Sequence, residues 1–393
     1  MGRPSSSGLS RGTLLLLAVA TGMLTGGNYL NQPLLADIAV ALEVSDAAAG
    51  RTVTIAQTAY ALGLAFLVPL GDRFEQRNLA VLLVTLTAVG HALAGFAPGF
   101  GSLVVGIALA ATASAAAQVL VPIAAALSPP GRSNRNVGLV MSGLVTGTLV
   151  ARAVSGILAD LGDWHTPYRV FCVALLLIAV LIWWRVPQVP STMRLSYLRI
   201  LASVVRLLRD QPRLRLRGLT SALTFASVSA LYATMTFMLA GEPHHLSPTQ
   251  IGLVTLAGVI GAQAATVAGS LADRGWAQRT TGAALALLLV SWAILVPASR
   301  WLVAMVVGFV LIDAALQAVH LSSQSIVYAL SPEKRARINS AYMTSYFIGG
   351  AGGSAVGVWA WTTWGWHGVC VVAAALGLAA IAAWTVDLRA ARR

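Results

Sequence analysis

Charge is scarce in these 393 residues: Asp, Glu, Lys and Arg together make up 10% of the chain, while 57% is hydrophobic and the mean hydropathy is +0.78. A soluble domain carries about 25% charged residues. A water-soluble fold of this size needs more polar cover than the chain holds. A soluble enzyme and a disordered chain are therefore excluded. Two cysteines, Cys172 and Cys370, are too few for a disulfide scaffold, and nothing in their placement pairs them. Lysine occurs once, as Lys334. A GxxxxGK[ST] phosphate loop is impossible without a suitably placed lysine, so the chain is not its own P-loop ATPase. HExxH, GxSxG and cysteine–histidine metal spacings are missing as well. No metal and no cofactor is expected, and the energy for any work must come from a gradient or a partner.

Long apolar runs are what the chain has instead. About twelve reach membrane-spanning length, at approximately 12–36, 48–70, 78–97, 101–127, 136–159, 166–187, 217–240, 249–271, 280–298, 301–329, 337–361 and 366–386. The formal charge of +13 could suggest nucleic-acid binding. Its distribution argues otherwise, because the arginines fall in short bursts between apolar runs. With the N-terminus inside, every Lys and Arg lies in a cytoplasmic segment except Arg51, Arg169, Arg300 and the intramembrane Arg152. The expectation is a multi-pass protein of the cytoplasmic membrane with both termini cytoplasmic and no nucleic-acid partner. The first run is too long for a cleaved signal peptide and reads as an uncleaved anchor.

The halves of the chain repeat. Ser45 and Gly50 match Ser247 and Gly252, Asp72-Arg73 matches Asp273-Arg274, Ala126-Leu127-Ser128-Pro129 matches Ala329-Leu330-Ser331-Pro332, and Trp164-His165 matches Trp366-His367. This predicts an all-α membrane protein of two pseudo-symmetric six-helix bundles, 1–187 and 217–393, joined by a linker at 188–216. Parallel repeats of this kind typify a class of secondary transporter whose substrate site lies between the halves. In the linker, Leu195, Leu198, Leu201, Val205 and Leu208 recur at helical spacing among arginines, which predicts an amphipathic helix on the cytoplasmic membrane surface.

At this point the chain resembles the major facilitator superfamily, most closely its twelve-helix drug:proton antiporter-like branch. The likeness runs over essentially the whole chain. Its most specific sign is Gly71-Asp72-Arg73-Phe74-Glu75-Gln76-Arg77 after the second run, with a second copy at Gly269-Ser270-Leu271-Ala272-Asp273-Arg274. The resemblance implies a cytoplasmic latch, with Asp72, Arg73, Arg77, Asp273 and Arg274 as gating residues. A carboxylate near a helix N-terminus and arginine partners is a sound basis for one. In the fifth run Gly143, Gly147, Ala151, Ser155 and Gly156 form a small-residue face suited to close helix contact. It is similar to the family's antiporter motif, with Arg152 where that motif carries proline.

Two charges lie deep in the apolar runs, Asp313 in the tenth and Arg152 in the fifth. At 1.5 Å per residue they sit roughly 18 Å and 12 Å from the outer ends of their helices, so a pair, direct or through water, is feasible. Either would cost several kcal/mol facing lipid, and intramembrane charges mark ion or substrate paths by default. Asp313, Gln317, His320 and Gln324 form one polar stripe. Thr21, Thr25, Asn28 and Gln32 form another in the first run, Thr220, Thr224, Ser227 and Thr234 in the seventh, Ser114 and Gln118 in the fourth, and Asn339, Tyr342 and Tyr346 in the eleventh. The resemblance implies that runs one, four, seven and ten line a central cavity. The substrate-binding candidates are Asn28, Gln32, Gln118, Gln317, Gln324, Asn339, Tyr342 and Tyr346. Asp313, His320 and Arg152 are the proton-coupling candidates, since whether Asp313 holds a proton depends on the balance of burial and a nearby cation. The function expected is secondary transport of a small organic solute or drug by a monomer. Proton-coupled efflux is the first reading and proton-coupled uptake of a polar metabolite the alternative. A membrane-embedded enzyme lacks any nucleophile–base or metal set, and a channel suits the two-half repeat less well.

Overall fold

The computed structural model describes residues 10–129, 132–190, 197–263, 268–271, 274–331 and 335–390. Every regular element among them is helical. Helix α1 (Arg11–Gly27) is followed by a 3-10 turn, Gln32–Leu34, and a short α2 (Leu35–Ala41). Then come α3 (Asp46–Phe66), α4 (Gln76–Gly95), α5 (Phe100–Ala113), α6 (Ala116–Ala126), α7 (Ser133–Asp160) and α8 (Thr166–Arg185). Helix α9 (Tyr197–Asp210) leads into α10 (Pro212–Ala240), α11 (Pro248–Leu256), α12 (Gly258–Ala262), α13 (Ala277–Leu295), α14 (Leu302–Ala329) and α15 (Arg335–Ala390).

Among the described residues ten helical segments are long and apolar enough to cross a membrane, and Pro248–Gly261 is a shorter apolar one. Helix α15 has 56 residues, roughly 84 Å if straight, against about 30 Å of hydrocarbon. It is broken at Gly365, where φ is 63° and ψ is −155°, a backbone that glycine adopts without a Cβ penalty. The break separates the runs at 337–361 and 366–386.

Three expected helices are interrupted. The run 12–36 is not one helix: α1 stops at Gly27, and Pro33, which has no N–H to donate, heads the following 3-10 turn. The run 101–127 is divided between α5 and α6 at Ser114-Ala115, and the run 249–271 between α11 and α12 at Ala257. Each interruption frees backbone and side-chain polar groups at depth, which is tolerated where the chain is buried in protein or lines a cavity.

Equivalent helices pack alike in the two halves of the chain. Helix α1 lies on α7 as α10 lies on α15, and α4 contacts α5 and α8 as α13 contacts α14 and α15. Contacts between the halves run through α3 with α15 and α7 with α11. Ser45 and Ser247, matched in the repeat, both cap a helix start, accepting from the backbone N–H of Ala48 and Gln250.

The linker segment forms helix α9. Among the residues of that stripe, Leu195 lies outside the described residues and Val205 is exposed. The buried face of α9 runs through Val204, Leu207 and Leu208, which pack on Leu214, Val327, Ile338 and Tyr342. The helix rests on the ends of α10 and α15 because those helices carry apolar surface beyond the span.

Candidate functional site

A cavity of about 430 Å³ lies between the halves. A second space of about 460 Å³ meets it, with Gln118, Val121, Val137, Tyr328, Asn339 and Met343 lining both. The outer space reaches Val68, Pro69, Gly71 and Arg337, at the arginine-rich end of the molecule. The opposite end is sealed by bonds between halves. Asp160 Oδ2 accepts from the Ser247 hydroxyl at 2.8 Å and the Thr249 N–H at 3.1 Å. Thr236 donates to the carbonyl of Gln32 at 2.5 Å, and Trp361 Nε1 donates to Asp46 Oδ2 at 3.2 Å.

Asp313 and Arg152 are each 3% exposed and both line the cavity. Among the described residues no ion pair joins them. They meet through Tyr232 of α10, whose hydroxyl donates to Asp313 Oδ1 at 2.8 Å while the Arg152 guanidinium lies 4.1 Å over its ring. Arg152 is also 4.5 Å over the ring of Tyr29. Its Nε donates to Gln32 Oε1 at 2.6 Å and its Nη1 to the Thr148 carbonyl at 2.9 Å. Two cation–π contacts and two hydrogen bonds hold the guanidinium in place. Among the described residues Asp313 Oδ2 has no hydrogen-bond partner, and it faces the start of α12. A side chain at Gly258 would collide with it, so the glycine is required by this close approach.

The polar stripe of the tenth run, now α14, faces the cavity: Asp313, Gln317, His320 and Gln324 all line it, as do Asn28, Gln118, Asn339 and Tyr346. Gln324 Nε2 donates to the Tyr328 hydroxyl at 2.8 Å, and that hydroxyl donates to Asn339 Oδ1 at 2.7 Å. Two candidates lie elsewhere. Gln32 is fully buried and grips Arg152 rather than facing the space. Tyr342 is fully buried, donating to the Ser221 hydroxyl at 2.9 Å, with His320 Nδ1 3.2 Å from its oxygen. Both are turned from the cavity by their own hydrogen bonds, which periodicity cannot reveal.

The gating candidates are spread out. Asp273 and the Asp72 side chain lie outside the described residues, and Arg73 and Arg274 are exposed. Arg77 stacks 4.6 Å over Trp183 of α8. Glu75, not singled out from the sequence, caps α4 through the N–H groups of Arg77 and Asn78 and also accepts from the N–H of Val189 at 2.7 Å.

Sequence reasoning also passed over Tyr29 and Tyr232, although Phe225 and Tyr232 are seven residues apart and line the cavity together. It placed Arg217 among the cytoplasmic charges and did not single out its partner Asp387. They form a buried pair at 2.6 Å, with Thr281 and Gln278 bonded to it at 3.0 and 2.8 Å.

The superfamily model described as Major Facilitator Superfamily matches residues 17–239 and 217–393. The transporter YgaY of Escherichia coli (strain K12) is 41% identical over 376 residues, covering 96% of this chain and 95% of its own. The probable transporter SCO4007 of Streptomyces coelicolor (strain ATCC BAA-471 / A3(2) / M145) is 31% identical over 375 residues, covering 95% of this chain and 87% of its own. Among solved structures, an inward-facing, occupied bacterial homolog of the human lysosomal transporter Spinster superposes with a TM-score of 0.75 at 15% identity, covering 100% of this chain and 98% of that one. A mutant of the nucleoside transporter NupG does so with a TM-score of 0.75 at 14% identity, covering 95% and 99%. With matching sequence, helical architecture and relatives, this multi-pass membrane protein belongs to the major facilitator superfamily of transporters.

Proposed function

We propose that this chain is a proton-coupled secondary transporter, carrying a small organic solute through the central cavity by alternating access, with Asp313 as the proton carrier. One observation supports this above the others: Arg152 belongs to the first half, Asp313 and Tyr232 to the second, and Arg152 meets Asp313 on the Tyr232 ring. Opening the sealed end requires α7 to part from α11. The same motion draws Arg152 off Tyr232 and changes the field at Asp313, so conformation and protonation become linked.

In this reading 1–187 and 217–393 are the two moving bodies and 188–216 joins them. The arginine-rich end and both termini face the cytoplasm, so the cavity is open inward. The loops carrying Asp72, Arg73 and Arg77 and carrying Asp273 and Arg274 close that end when the other opens. His320, bonded to Tyr342, acts as relay. Protons, the solute and the bilayer are the partners, and one chain supplies the whole site.

Export in exchange for protons and uptake together with protons differ in one sign: whether the solute expels the proton from Asp313 or recruits it. A wall of aromatic and aliphatic side chains suits amphipathic, drug-like molecules and supports export. Donors of Arg152 left over for the cavity suit an acidic solute and support uptake.

The test is transport in proteoliposomes under an imposed pH gradient, with a panel of organic solutes and lumenal pH read by trapped pyranine. Asp313→Asn is expected to abolish gradient-driven accumulation while equilibrium exchange of labelled solute persists. Full gradient-driven transport by that variant removes Asp313 as the carrier.

A further inference from the structure

We infer that the transported solute is an aromatic or amphipathic monocarboxylate, that Arg152 is the receptor for its carboxylate, and that the proton on Asp313 loads with it. This rests on the reading of the cavity as the transport site.

A guanidinium has five N–H donors in a planar fork. Arg152 commits one on Nε to Gln32 and one on Nη1 to Thr148, and its guanidinium carbon lies 4.5 Å and 4.1 Å over the rings of Tyr29 and Tyr232. Among the described residues, Nη2 and the second N–H of Nη1 have no partner and no carboxylate forms an ion pair with this cation. A buried cation with open donors and no counter-ion is costly. What the fork accepts best is a planar oxyanion, bound by two parallel hydrogen bonds.

Asp313 does not fill that place. Its Oδ1 is taken by Tyr232 and its Oδ2 faces Gly258. The groups facing Asp313 are Arg152, Tyr232, Tyr29 and Tyr346, with His320 farther along its own helix. A second carboxylate entering beside Arg152 repels an ionised Asp313 and is accepted when Asp313 is protonated. Solute and proton therefore bind together, which selects uptake over exchange.

Among the described residues lining the central cavity, Arg152 is the one Lys or Arg. A doubly charged phosphate or dicarboxylate would leave a charge unmatched. The wall also holds the rings of Tyr29, Tyr60, Phe225, Tyr232, Tyr346 and Phe347, beside aliphatic side chains and the amides of Gln118 and Gln317, which suits an aromatic body. A volume of about 430 Å³ admits a molecule of two or three rings.

Three probes that differ in one group decide the matter: 2-naphthylacetate, 2-(2-naphthyl)ethanol and 2-(2-naphthyl)ethylamine, titrated into the purified full-length protein. The carboxylate is expected to bind at least tenfold tighter than the alcohol and the amine, and Arg152→Gln is expected to erase that preference while Arg152→Lys keeps part of it. Should Arg152→Gln not fold, the three probes on the unaltered protein still decide. Equal or tighter binding of the alcohol or amine overturns the inference, as does no binding by any of the three. Proton uptake on carboxylate binding, read with a pH dye in weak buffer, tests the other half. Its absence alongside a carboxylate preference removes the Asp313 coupling and leaves the solute class standing. Proton-driven transport with no carboxylate preference does the reverse.

Discussion

Arg152 and Asp313 are joined through the side chain of Tyr232: the guanidinium stacks at 4.1 Å on the ring whose hydroxyl donates to the carboxylate at 2.8 Å. The two charges sense each other across one aromatic group that belongs to the half carrying Asp313. A direct ion pair would have locked the halves, whereas a stacked contact parts without leaving either charge newly unbonded.

Tyr232→Phe keeps the ring under Arg152 and deletes the donor to Asp313. A hydrogen bond to a charged group is worth about 1.5–3 kcal/mol, so gradient-driven transport is expected to fall roughly 10- to 100-fold with an altered pH profile and a lowered melting temperature. Tyr232→Leu removes both contacts and is expected to lose more. Transport assays across pH 5–8 separate the two, and an unchanged profile in the Phe variant speaks against the bridge.

Helices α1 and α7 touch backbone to backbone at Gly147 and Gly143, where an added Cβ would strike Gly22 and Ala18. Backbone cannot yield as a flexible side chain can, so Gly147→Val is expected to cost at least about 1–3 kcal/mol and to reduce the folded fraction on size-exclusion chromatography. Gly138 in the same helix has nothing within 4 Å of an added Cβ. Gly138→Ala is expected to be neutral or slightly stabilising.

The buried Arg217–Asp387 pair is bonded at 2.6 Å with both side chains at most 1% exposed. Asp387→Leu alone leaves a buried cation and is expected to destabilise by about 3–5 kcal/mol. The double variant Arg217→Met/Asp387→Leu is expected to recover most of that loss. Thermal unfolding in detergent measures both, and a double variant no better than the single one argues that the cluster does more than neutralise itself.

Asp160 accepts from Ser247 and from the first turn of α11, across the seal between halves. A carboxylate at a helix N-terminus is worth a few tenths to one kcal/mol. Asp160→Asn is therefore expected to shift the population toward the state open at that end by roughly two- to fivefold, read as increased labelling of a cysteine placed at Ala153, which is buried in α7 against Gly252 of α11. Unchanged labelling would mean that the seal is held elsewhere.

The stripe Asp313, Gln317, His320 and Gln324 was legible from spacing alone, because a helix in lipid has to gather its polar groups on the face that avoids lipid. So was the glycine face of α7, since close helix packing in a bilayer uses small residues. Gln32 and Tyr342 shared the same periodicity yet turn to Arg152 and Ser221, because a hydrogen-bonding side chain chooses among neighbours that belong to other helices. Arg217 and Asp387 were assigned to water since hydropathy treats a charge at a span's end as solvated, and their pairing joins positions 170 residues apart.

From its sequence alone this protein was bound to a membrane, divided into two repeated halves and marked by one deep acid and one deep base. Local composition and period decide those matters, because the bilayer is a solvent that each segment meets independently. Which end of the cavity is open, where α1, α5 and α11 break, how α9 rests on α10 and α15, and that Tyr232 stands between Arg152 and Asp313 were decided by the tertiary structure. Each of these depends on contacts between helices distant in the chain, and no single segment carries the information to set them.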